Sequence, residues 1–499
     1  MTLKNINVLV LLFFLIINTI KGDCEVCCED CCNDCFNKEN EDINAKENES
    51  NKVEEIYEEK SKENLNNLLQ NNAFMENNNQ DNNQNNNLYN NQNYNPNNNQ
   101  NYNLYNNQNN FQNNFQLQNN LQNNAFQNNA PQNNRFITGE TLGLENVGAT
   151  CYMNATLQCL FHIKELSHYF FNWYCYFYKS NQLYLFDFLK KKPLFAQYMN
   201  LLCQVFYPEI NGNQNTYYAP KAFKDIISEL NPLFQGVQAN DAKDLLQCIF
   251  ENMHNELKKV ILPFSEYQID QKNEMQAWKF FYDSFITQNQ SPILDILYGI
   301  NKIKSTCVNC KKTIYTFQSY NLLYFPLKEA KRVAVLNKKE KDKNFDEKKY
   351  ILTLEDCFAH NEQIEHFSKD NQMYCNECKV LHEADYQSML YTTPTVLAIV
   401  LNRGRENKDF TEEFNFGVNL DLKKYIHNQS FKQHGKYYLI GMVVHSGESG
   451  MGGHFIAYCR MDKNADWYCY NDAFVNKVEN IEEKFEVNSP YILFYHYDN

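Results

Sequence analysis

Cys151 is the residue of this sequence best placed to act as a nucleophile. It follows a loop that contains Asn146 and Gly148, and it begins a segment whose apolar residues have helical spacing. The N–H groups and positive dipole end of a helix N-terminus should lower the pKa of the thiol. The same N–H groups and the Asn146 amide could hold an oxyanion, a contact worth ~3–4 kcal/mol when preorganised. Thr150 is predicted to cap this helix.

His454 is the candidate general base for this thiol. It follows Gly452 and Gly453 and opens a predicted strand, which would be a rigid mount for an imidazole. The paired glycines would let a substrate chain approach the backbone closely, which predicts a substrate-binding role for both. Without such a histidine, Cys151 would be interpreted as a buried free cysteine, a common fate for that residue type.

Asn471 is the candidate for orienting the imidazole. A second predicted strand ends at Asn471 and Asp472. If this strand pairs with that of His454, Asn471 can accept from one ring nitrogen and leave the other for the thiol, with Asp472 as a secondary catalytic candidate. His445 is the competing base, and Glu448 could orient it, but it lacks the strand, turn and polar side chain that follow His454.

Two CxxC pairs indicate a structural metal site. Each pair can donate two thiolates to a tetrahedral zinc ion at ~2.3 Å, and strand-like runs flank both pairs. A single pair would more often be incidental or redox-active. Because all four ligands would be protein atoms, zinc is expected to stabilise the fold, and no catalytic metal is expected. The ligands would be Cys307, Cys310, Cys375 and Cys378.

Three segments resemble motifs of the ubiquitin-specific proteases, a family of cysteine deubiquitinases. Residues 143–154 resemble the cysteine box, residues 452–458 the histidine box, and residues 467–472 the segment with the third catalytic residue. The similarity extends, with insertions, from about residue 143 to residue 497. The resemblance implies a nucleophile, a base, an orienting residue and an oxyanion donor, which are Cys151, His454, Asn471 and Asn146 in that order.

The resemblance implies an α+β fold, in which a papain-like core forms a thumb, a palm and β-rich zinc-ribbon fingers. It implies hydrolysis of the bond after the C-terminal Gly-Gly of ubiquitin through a thioester, with ubiquitin and ubiquitinated proteins as partners. Three other functions fit parts of the sequence. They are a catalytically weak ubiquitin-binding scaffold, a secreted papain-like peptidase, and an assembly protein in which catalysis is secondary.

Asp241 and Asp244 lie at the predicted start of a helix, where acidic residues commonly act as caps. Residues 236–246 also resemble the family motif whose acids pair with basic residues in ubiquitin's tail. This implies that both acids bind substrate. The motif is imperfect, because Ala239 stands where the family usually has glutamine and Asp244 where it usually has glutamate.

Composition divides the chain into four segments. Residues 1–22 are similar to a signal peptide or signal anchor, and residues 23–64 are Cys-rich and then charged, as in a linker. Asn or Gln occupies 47 of the 70 positions from 65 to 134. Such a composition buries too little apolar surface to offset ordering entropy, so residues 65–136 are predicted to be disordered. Residues 137–499 are the predicted catalytic domain.

Charge excludes one class of partner. The formal charge is −14, and residues 137–499 carry 38 Lys and Arg against 43 Asp and Glu without a long basic stripe. We therefore predict no nucleic-acid partner. The Lys-rich residues 328–349 are predicted to be an exposed mobile loop, because a charge run is usually a solvated face.

The N-terminal segments and the predicted active site suggest different cellular compartments. Residues 1–36 could tether the chain to a membrane, and the Asn/Gln-rich tract could self-associate. A reduced nucleophile and thiolate-bound zinc suit the cytosol, whereas the leader suits the secretory route. Asn154 begins a glycosylation sequon three residues after Cys151, where a glycan would block the cleft. A cytoplasmic catalytic domain is therefore the favoured expectation.

Overall fold

The computed structural model describes residues 140–179, 188–208, 215–259, 264, 267–403, 413–449, 452–485 and 489–498. The leader, the Cys-rich segment and the Asn/Gln-rich tract lie outside the described residues. Among the helices that are described, none is long and apolar enough to cross a membrane.

The fold combines helices and sheets, in agreement with the predicted α+β class. Its helices are α1 (Cys151–Phe161), α2 (Lys164–Lys179), α3 (Pro193–Phe206), α4 (Lys221–Leu230), α5 (Ala242–Leu257), α6 (Glu274–Asn289), α7 (Pro292–Leu297), α8 (Leu327–Lys341), α9 (Leu354–Asn361) and α10 (Glu482–Phe485). Its strands are β1 (Gly143–Leu144), β2 (Tyr217–Tyr218), β3 (Gly299–Cys307), β4 (Thr313–Tyr320), β5 (Leu322–Pro326), β6 (Leu352–Thr353), β7 (Glu365–Phe367), β8 (Met373–Cys375), β9 (Val380–His382), β10 (Ala384–Thr392), β11 (Val396–Asn402), β12 (Phe414–Asn415), β13 (Asn419–Asp421), β14 (Lys436–Ser449), β15 (Gly452–Cys459), β16 (Trp467–Asn471), β17 (Phe474–Val478) and β18 (Ser489–Tyr497).

The largest sheet has the strand order β17-β16-β15-β14-β18-β11-β5, with β13 paired to β14. Its neighbours are antiparallel except for β11 and β5, which run parallel. Residues Val396 to Leu401 of β11 are all buried, as their unbroken apolar sequence predicts for a strand covered on both faces. The sheet is the rigid platform for the C-terminal half of the candidate site.

The predicted loop over residues 328–349 is wrong in its first half. Helix α8 occupies residues 327–341 and packs on the core of the large sheet through Leu327, Ala330 and Ala334, and Val335 beside them is also buried. Their spacing of i, i+3, i+7 and i+8 is that of the apolar stripe of an amphipathic helix. The many lysines between them hid that stripe, because a surface helix carries its charges on the face away from the core.

A second sheet has the strand order β4-β3-β10-β7, and the short hairpin β8-β9 lies between β7 and β10 in the sequence. The sheet carries one CxxC pair and the hairpin carries the other. Trp278 of α6 packs on the sheet, with ring centroids 5.2 Å from Phe317 and 4.7 Å from Tyr391. One CxxC pair begins at the last residue of β3 and the other at the last residue of β8. The sheet and hairpin thus correspond to the predicted β-rich fingers.

The helical part packs around α1. Every residue of α1 is buried, and the helix contacts β14, β15 and β16 of the large sheet as well as α2 and α5. Its buried polar side chains have partners, since Gln158 Nε2 donates to the carbonyl of Leu142 at 2.8 Å and Thr156 Oγ1 to that of Tyr152 at 2.8 Å. The helix that begins at Cys151 is therefore fixed in position by packing against both the large sheet and the neighbouring helices.

A half-buried ion pair joins the helices to the sheet. Glu165 Oε1 of α2 lies 2.9 Å from His496 Nε2 of β18. Burial opposes the charge on each side chain, but their mutual hydrogen bond prevails, so the pKa of Glu165 is lowered from 4.5 and that of His496 is raised from 6.5.

This pair should make stability depend on pH. The carboxylate contribution is present above about pH 4.5, and the imidazolium contribution is present below about pH 6.5 and is lost as pH rises through the raised pKa of His496. Glu165→Gln should therefore cost about 1–3 kcal/mol of unfolding free energy near pH 6 and clearly less at pH 9, measured by urea denaturation. Asp466→Asn, which breaks the exposed Lys477 pair, should cost under about 1 kcal/mol. Equal costs for Glu165→Gln at both pH values would contradict this prediction.

Candidate active site

The loop before Cys151 is built from side-chain and backbone hydrogen bonds. Asn146 Oδ1 accepts from the N–H of Thr150 at 2.9 Å, and Thr150 Oγ1 accepts from the N–H of Val147 at 3.0 Å. Gly148 and Ala149 have positive φ of 127° and 49°, so the chain turns sharply into α1. Thr150 occupies the N-cap position, but its side chain makes no cap hydrogen bond to the first turn of α1. Its Oγ1 accepts from the N–H of Val147 in the loop instead. The predicted Thr150 cap is wrong in that respect.

The hairpin of β14 and β15 places His454 beside the thiol. Cys151 receives a backbone hydrogen bond from Phe455, the residue that follows His454 in β15. The Cys151 side chain is 6% exposed, whereas that of His454 is 39% exposed. The nucleophile and base candidates, which are 303 positions apart in the sequence, therefore lie together at an accessible edge of the packed domain.

The third candidate lies on the next strand. Strand β16 pairs antiparallel with β15, as the sequence predicts, and His454 Nε2 donates to Asn471 Oδ1 at 2.7 Å. Asp472 Oδ2 is farther from this nitrogen, at 3.9 Å. Since Nε2 donates to Asn471, Nδ1 is the imidazole nitrogen that remains for another partner.

Asp472 connects the two halves of the site. Its carboxylate accepts from Asn146 Nδ2 at 3.0 Å and from Asn154 Nδ2 at 2.7 Å, and its backbone carbonyl accepts from the N–H of Leu144 at 2.8 Å. Its φ of 50° turns β16 into β17 directly beside the cysteine loop. Sequence reasoning missed this network, because the contacts join positions more than 300 residues apart.

The pKa of Cys151 is raised, which overturns the expectation that the helix N-terminus would lower it. Burial is the largest cause, and the charge of Asp472 acts in the same direction. Backbone hydrogen bonds from Phe455, Tyr152 and Cys151 itself oppose the rise without cancelling it. The thiol is therefore protonated at neutral pH, so formation of the thiolate would require a base to accept its proton.

This pKa predicts the pH dependence of thiol alkylation. The rate of Cys151 modification by iodoacetamide should keep rising with pH beyond 9.0, the ordinary cysteine value, when followed by mass spectrometry of the Cys151 peptide. Asp472→Asn removes one cause of the raised pKa and should shift the inflection to lower pH. An inflection near pH 7 in the unmodified chain would show that the helix N-terminus prevails over burial.

His445, the competing base, is in a different environment. It is 5% exposed, and burial lowers its pKa, with a further lowering from His454. A Cβ built on Gly453 would lie 2.4 Å from His445 Cε1. The His445 ring is thus a packing partner of the β15 backbone, and Asn471 is bonded to His454 instead.

Gly453 and Gly452 differ in backbone conformation and in the space available for a side chain. Gly453 has a φ of 152°, which other residues rarely adopt, and its backbone lies against the His445 ring and the carbonyl of Ser446. A Cβ on Gly452 would meet no atom within 4 Å. Gly453 is therefore required by packing and backbone conformation, whereas Gly452 faces open space.

The sequon at Asn154 is inaccessible. The side chain is 2% exposed, and its Nδ2 donates to the carbonyls of Leu144 and Glu145 as well as to Asp472. A glycan on this nitrogen would break those hydrogen bonds. The folded domain is incompatible with glycosylation at this position.

Asp241 and Asp244 lie at the start of α5, as predicted. Asp241 is the N-cap, and its side chain accepts from the N–H of Lys243 at 3.0 Å, while Asp244 lies in the first turn. The Tyr491 hydroxyl lies 2.7 and 2.8 Å from the two Asp241 carboxylate oxygens. Lys243 contacts both acids, an interaction that the sequence analysis did not predict.

The four predicted metal ligands form one cluster. Their sulfur atoms all lie within 4.8 Å of one another, and the sulfurs of Cys310 and Cys375 are 3.6 Å apart. Tetrahedral zinc with ~2.3 Å bonds would separate its ligands by about 3.8 Å, so these thiols fit the ion. The Cys378 backbone N–H is the largest cause that lowers the pKa of Cys375 to about 7, whereas the pKa of its neighbour Cys310 is raised to about 11. Zinc binding would require the thiols to lose their protons.

The two CxxC pairs have the same turn geometry. The residues directly after them, Lys311 and Lys379, have positive φ of 57° and 62°. Each donates its N–H to the carbonyl of the first cysteine of its pair, Cys307 or Cys375, at 3.0 and 2.8 Å. This repeated turn points the two thiols of each pair in one direction.

Comparisons with known proteins identify the family of the chain. The family model described as ubiquitin carboxyl-terminal hydrolase matches residues 142–495. Ubiquitin carboxyl-terminal hydrolase 2 of Bos taurus is 26% identical over 364 residues, which cover 71% of this chain and 54% of that protein. Ubiquitin carboxyl-terminal hydrolase 4 of Saccharomyces cerevisiae (strain YJM789) is 25% identical over 386 residues, which cover 71% and 39%. The chain thus spans about half the length, or less, of these relatives.

A solved structure shares the fold. It is the SAGA Ubp8/Sgf11/Sus1/Sgf73 DUB module bound to ubiquitin aldehyde, with a TM-score of 0.51 at 18% sequence identity, covering 74% of this chain and 71% of that chain. The family match includes the loop of Cys151, the CxxC pairs and the strands of His454 and Asn471. Because the match covers well over half of the sequence, the chain belongs to the ubiquitin carboxyl-terminal hydrolase family, as its resemblance to the ubiquitin-specific proteases predicts.

Proposed function

We propose that this chain is a cysteine-dependent deubiquitinase that hydrolyses the bond after the C-terminal Gly-Gly of ubiquitin. The observation that carries this proposal is the convergence on one centre of the Cys151 thiol, the strand of His454 and the 2.7 Å bond from His454 to Asn471. This arrangement supplies a nucleophile, a base and an orienting amide. The family membership gives the substrate class.

The first half of the reaction forms a thioester. His454 Nδ1 accepts the Cys151 proton, and the thiolate attacks the carbonyl carbon of ubiquitin's last glycine. Asn146 has one amide hydrogen on Asp472 and a second that can bind the oxyanion, together with the Cys151 N–H. When the tetrahedral intermediate collapses, the C–N bond breaks and His454 returns the proton to the departing amine.

The second half regenerates the enzyme. His454 accepts a proton from water, and the hydroxide attacks the thioester carbonyl. The bond from carbon to sulfur then breaks, the ubiquitin carboxylate leaves, and His454 returns the proton to the Cys151 thiolate. Asn471 keeps the imidazole oriented in both halves, while Asp472 positions Asn146 through their 3.0 Å hydrogen bond. In this proposal Asp472 is a positioning residue.

The test is reaction of the full chain with a ubiquitin C-terminal fluorogenic amide and with ubiquitin that carries a C-terminal electrophile. We expect turnover of the amide and one covalent adduct, mapped to Cys151 by mass spectrometry. Ubiquitin binding without adduct or turnover would identify a scaffold instead. Casein cleavage with no preference for ubiquitin would identify a general peptidase.

Other elements have supporting roles in the proposal. Asp241 and Asp244 would bind basic residues of the ubiquitin tail, and Gly452 and Gly453 would line the channel for its glycines. The four clustered cysteines would hold a structural zinc ion that stabilises the fingers. Residues 137–499 would form the catalytic domain. The buried sequon at Asn154 supports its action in the cytoplasm.

Loss of zinc should be measurable in a single variant. Cys310→Ser should retain one equivalent less zinc than the unmodified chain by elemental analysis, because three thiolates remain. Hydrogen exchange should accelerate in the β8-β9 hairpin, which carries Cys375, more than in β11 of the large sheet. Cys469→Ser, whose sulfur lies outside the cluster, should leave the zinc content unchanged. Unchanged zinc in Cys310→Ser would refute the site.

A further inference from the structure

Lys243 places a positive charge between the two acids proposed to bind the substrate tail. Its Nζ lies 2.5 Å from Asp241 Oδ2 and 3.2 Å from Asp244 Oδ1. The three side chains are 25%, 33% and 46% exposed, so all are reachable from solvent. The pair of carboxylates and their lysine therefore present one net negative charge to a ligand instead of two.

This cluster lies on the approach to the reactive thiol. Asp241 is bonded to the Tyr491 hydroxyl, and the Tyr491 ring lies 5.8 Å from that of Phe455. Phe455 is the residue whose backbone bonds to Cys151. A basic side chain a few positions before the scissile bond could thus contact Asp241 while the carbonyl reaches the sulfur.

Helix stability does not account for the lysine. A cation in the first turn of a helix opposes the dipole, which favours anions at that end. Asp241 already caps α5 by accepting from the N–H of Lys243, a contact that any side chain at position 243 would preserve. The lysine side chain is directed to the two carboxylates instead.

We propose that Lys243 is a specificity-determining residue: an internal counter-ion that the basic residues of the substrate tail must displace from Asp241 and Asp244. This inference rests on the proposed function. Exchanging one partly exposed ion pair for another yields little net free energy, so Lys243 weakens tail binding and makes it depend on the number of basic residues in the tail. The flexible lysine stem lets the ammonium move aside without disturbing the helix.

The decisive variant is Lys243→Gln, which removes the charge and keeps a similar length. With the ubiquitin C-terminal amide, kcat/KM should rise about 3–10-fold through a lower KM, with kcat unchanged. This gain in kcat/KM should be smaller in about 0.5 M salt, because the interaction of exposed charges is then screened over roughly 4 Å. Lys243→Arg keeps the charge and should show no gain.

A second substrate distinguishes competition between Lys243 and the tail's basic residues from a structural effect of the substitution. When the basic residues of the ubiquitin tail are replaced with glutamine, the gain from Lys243→Gln should disappear, because no cation competes for the acids. Lys258→Gln makes the same charge change at the far end of α5 and should not alter KM. Thermal melting should show that all variants remain folded.

The outcomes distinguish this inference from the proposed function. If the unmodified chain cleaves ubiquitin but Lys243→Gln has an unchanged or higher KM, the counter-ion role is refuted and the enzyme assignment stands. An equal gain on the neutral tail would also refute it, since the lysine would then act without a competing cation. Failure of the unmodified chain to cleave ubiquitin would refute the proposed function itself.

Discussion

Cys151→Ala is expected to lower kcat/KM for a ubiquitin C-terminal amide by about 10⁴-fold or more, because it removes the proposed nucleophile, whose thiol receives a backbone hydrogen bond from Phe455, the residue next to His454. Ubiquitin binding should be retained within about threefold, since the substitution only removes a sulfur atom from a buried position. The two quantities are measured by steady-state hydrolysis and by fluorescence anisotropy with labelled ubiquitin.

Cys159→Ala is the matched control, because it removes a buried sulfur from the same helix. Cys159 is 1% exposed, and its sulfur lies 3.6 Å from that of Cys459 in the core. We expect a stability loss of about 1 kcal/mol and a kcat/KM close to that of the unmodified enzyme. Residual turnover in Cys151→Ala that matches the Cys159→Ala rate would disprove the assignment of the nucleophile.

Gly453→Ala is expected to lower kcat/KM by about 10²-fold or more without replacing any catalytic side chain. The new Cβ would lie 2.4 Å from His445 Cε1 and 2.6 Å from the Ser446 carbonyl oxygen, at a φ of 152°. The β15 backbone must shift to relieve this contact, and His454 is the next residue. A displacement of a reacting group by about 1 Å can cost about 10²-fold in rate.

Gly452→Ala tests whether the effect comes from the contact or from any lost glycine in the loop. Its Cβ would meet no atom within 4 Å, so the melting temperature should not change, and any loss should appear in KM because the proposed substrate channel narrows. For Gly453→Ala the loss of activity should appear as a lower kcat, because the shifted backbone displaces His454. Full activity of Gly453→Ala would show that the left-handed backbone and the His445 contact do not position His454.

Local sequence patterns were sufficient for several elements of the site. The helical spacing of apolar residues after Cys151 predicts α1, and the aromatic-rich residues 467–471 predict β16. Both patterns can be recognised because each lies within one short stretch of the chain. The two CxxC pairs predict their cluster, since each pair brings two thiols together by itself. Helix α8 escaped prediction because its lysines obscured a four-residue apolar stripe.

The sequence by itself determined the reactive groups, their local elements and the family resemblance, because residue type and short-range periodicity are local properties. Only the tertiary structure decided the environment of each group. Burial and Asp472 raise the pKa of Cys151 against the effect of the helix N-terminus, and the β14-β15 register presses the Gly453 backbone against His445. Electrostatics and packing depend on distances between segments hundreds of residues apart, and those distances exist only after the chain has folded.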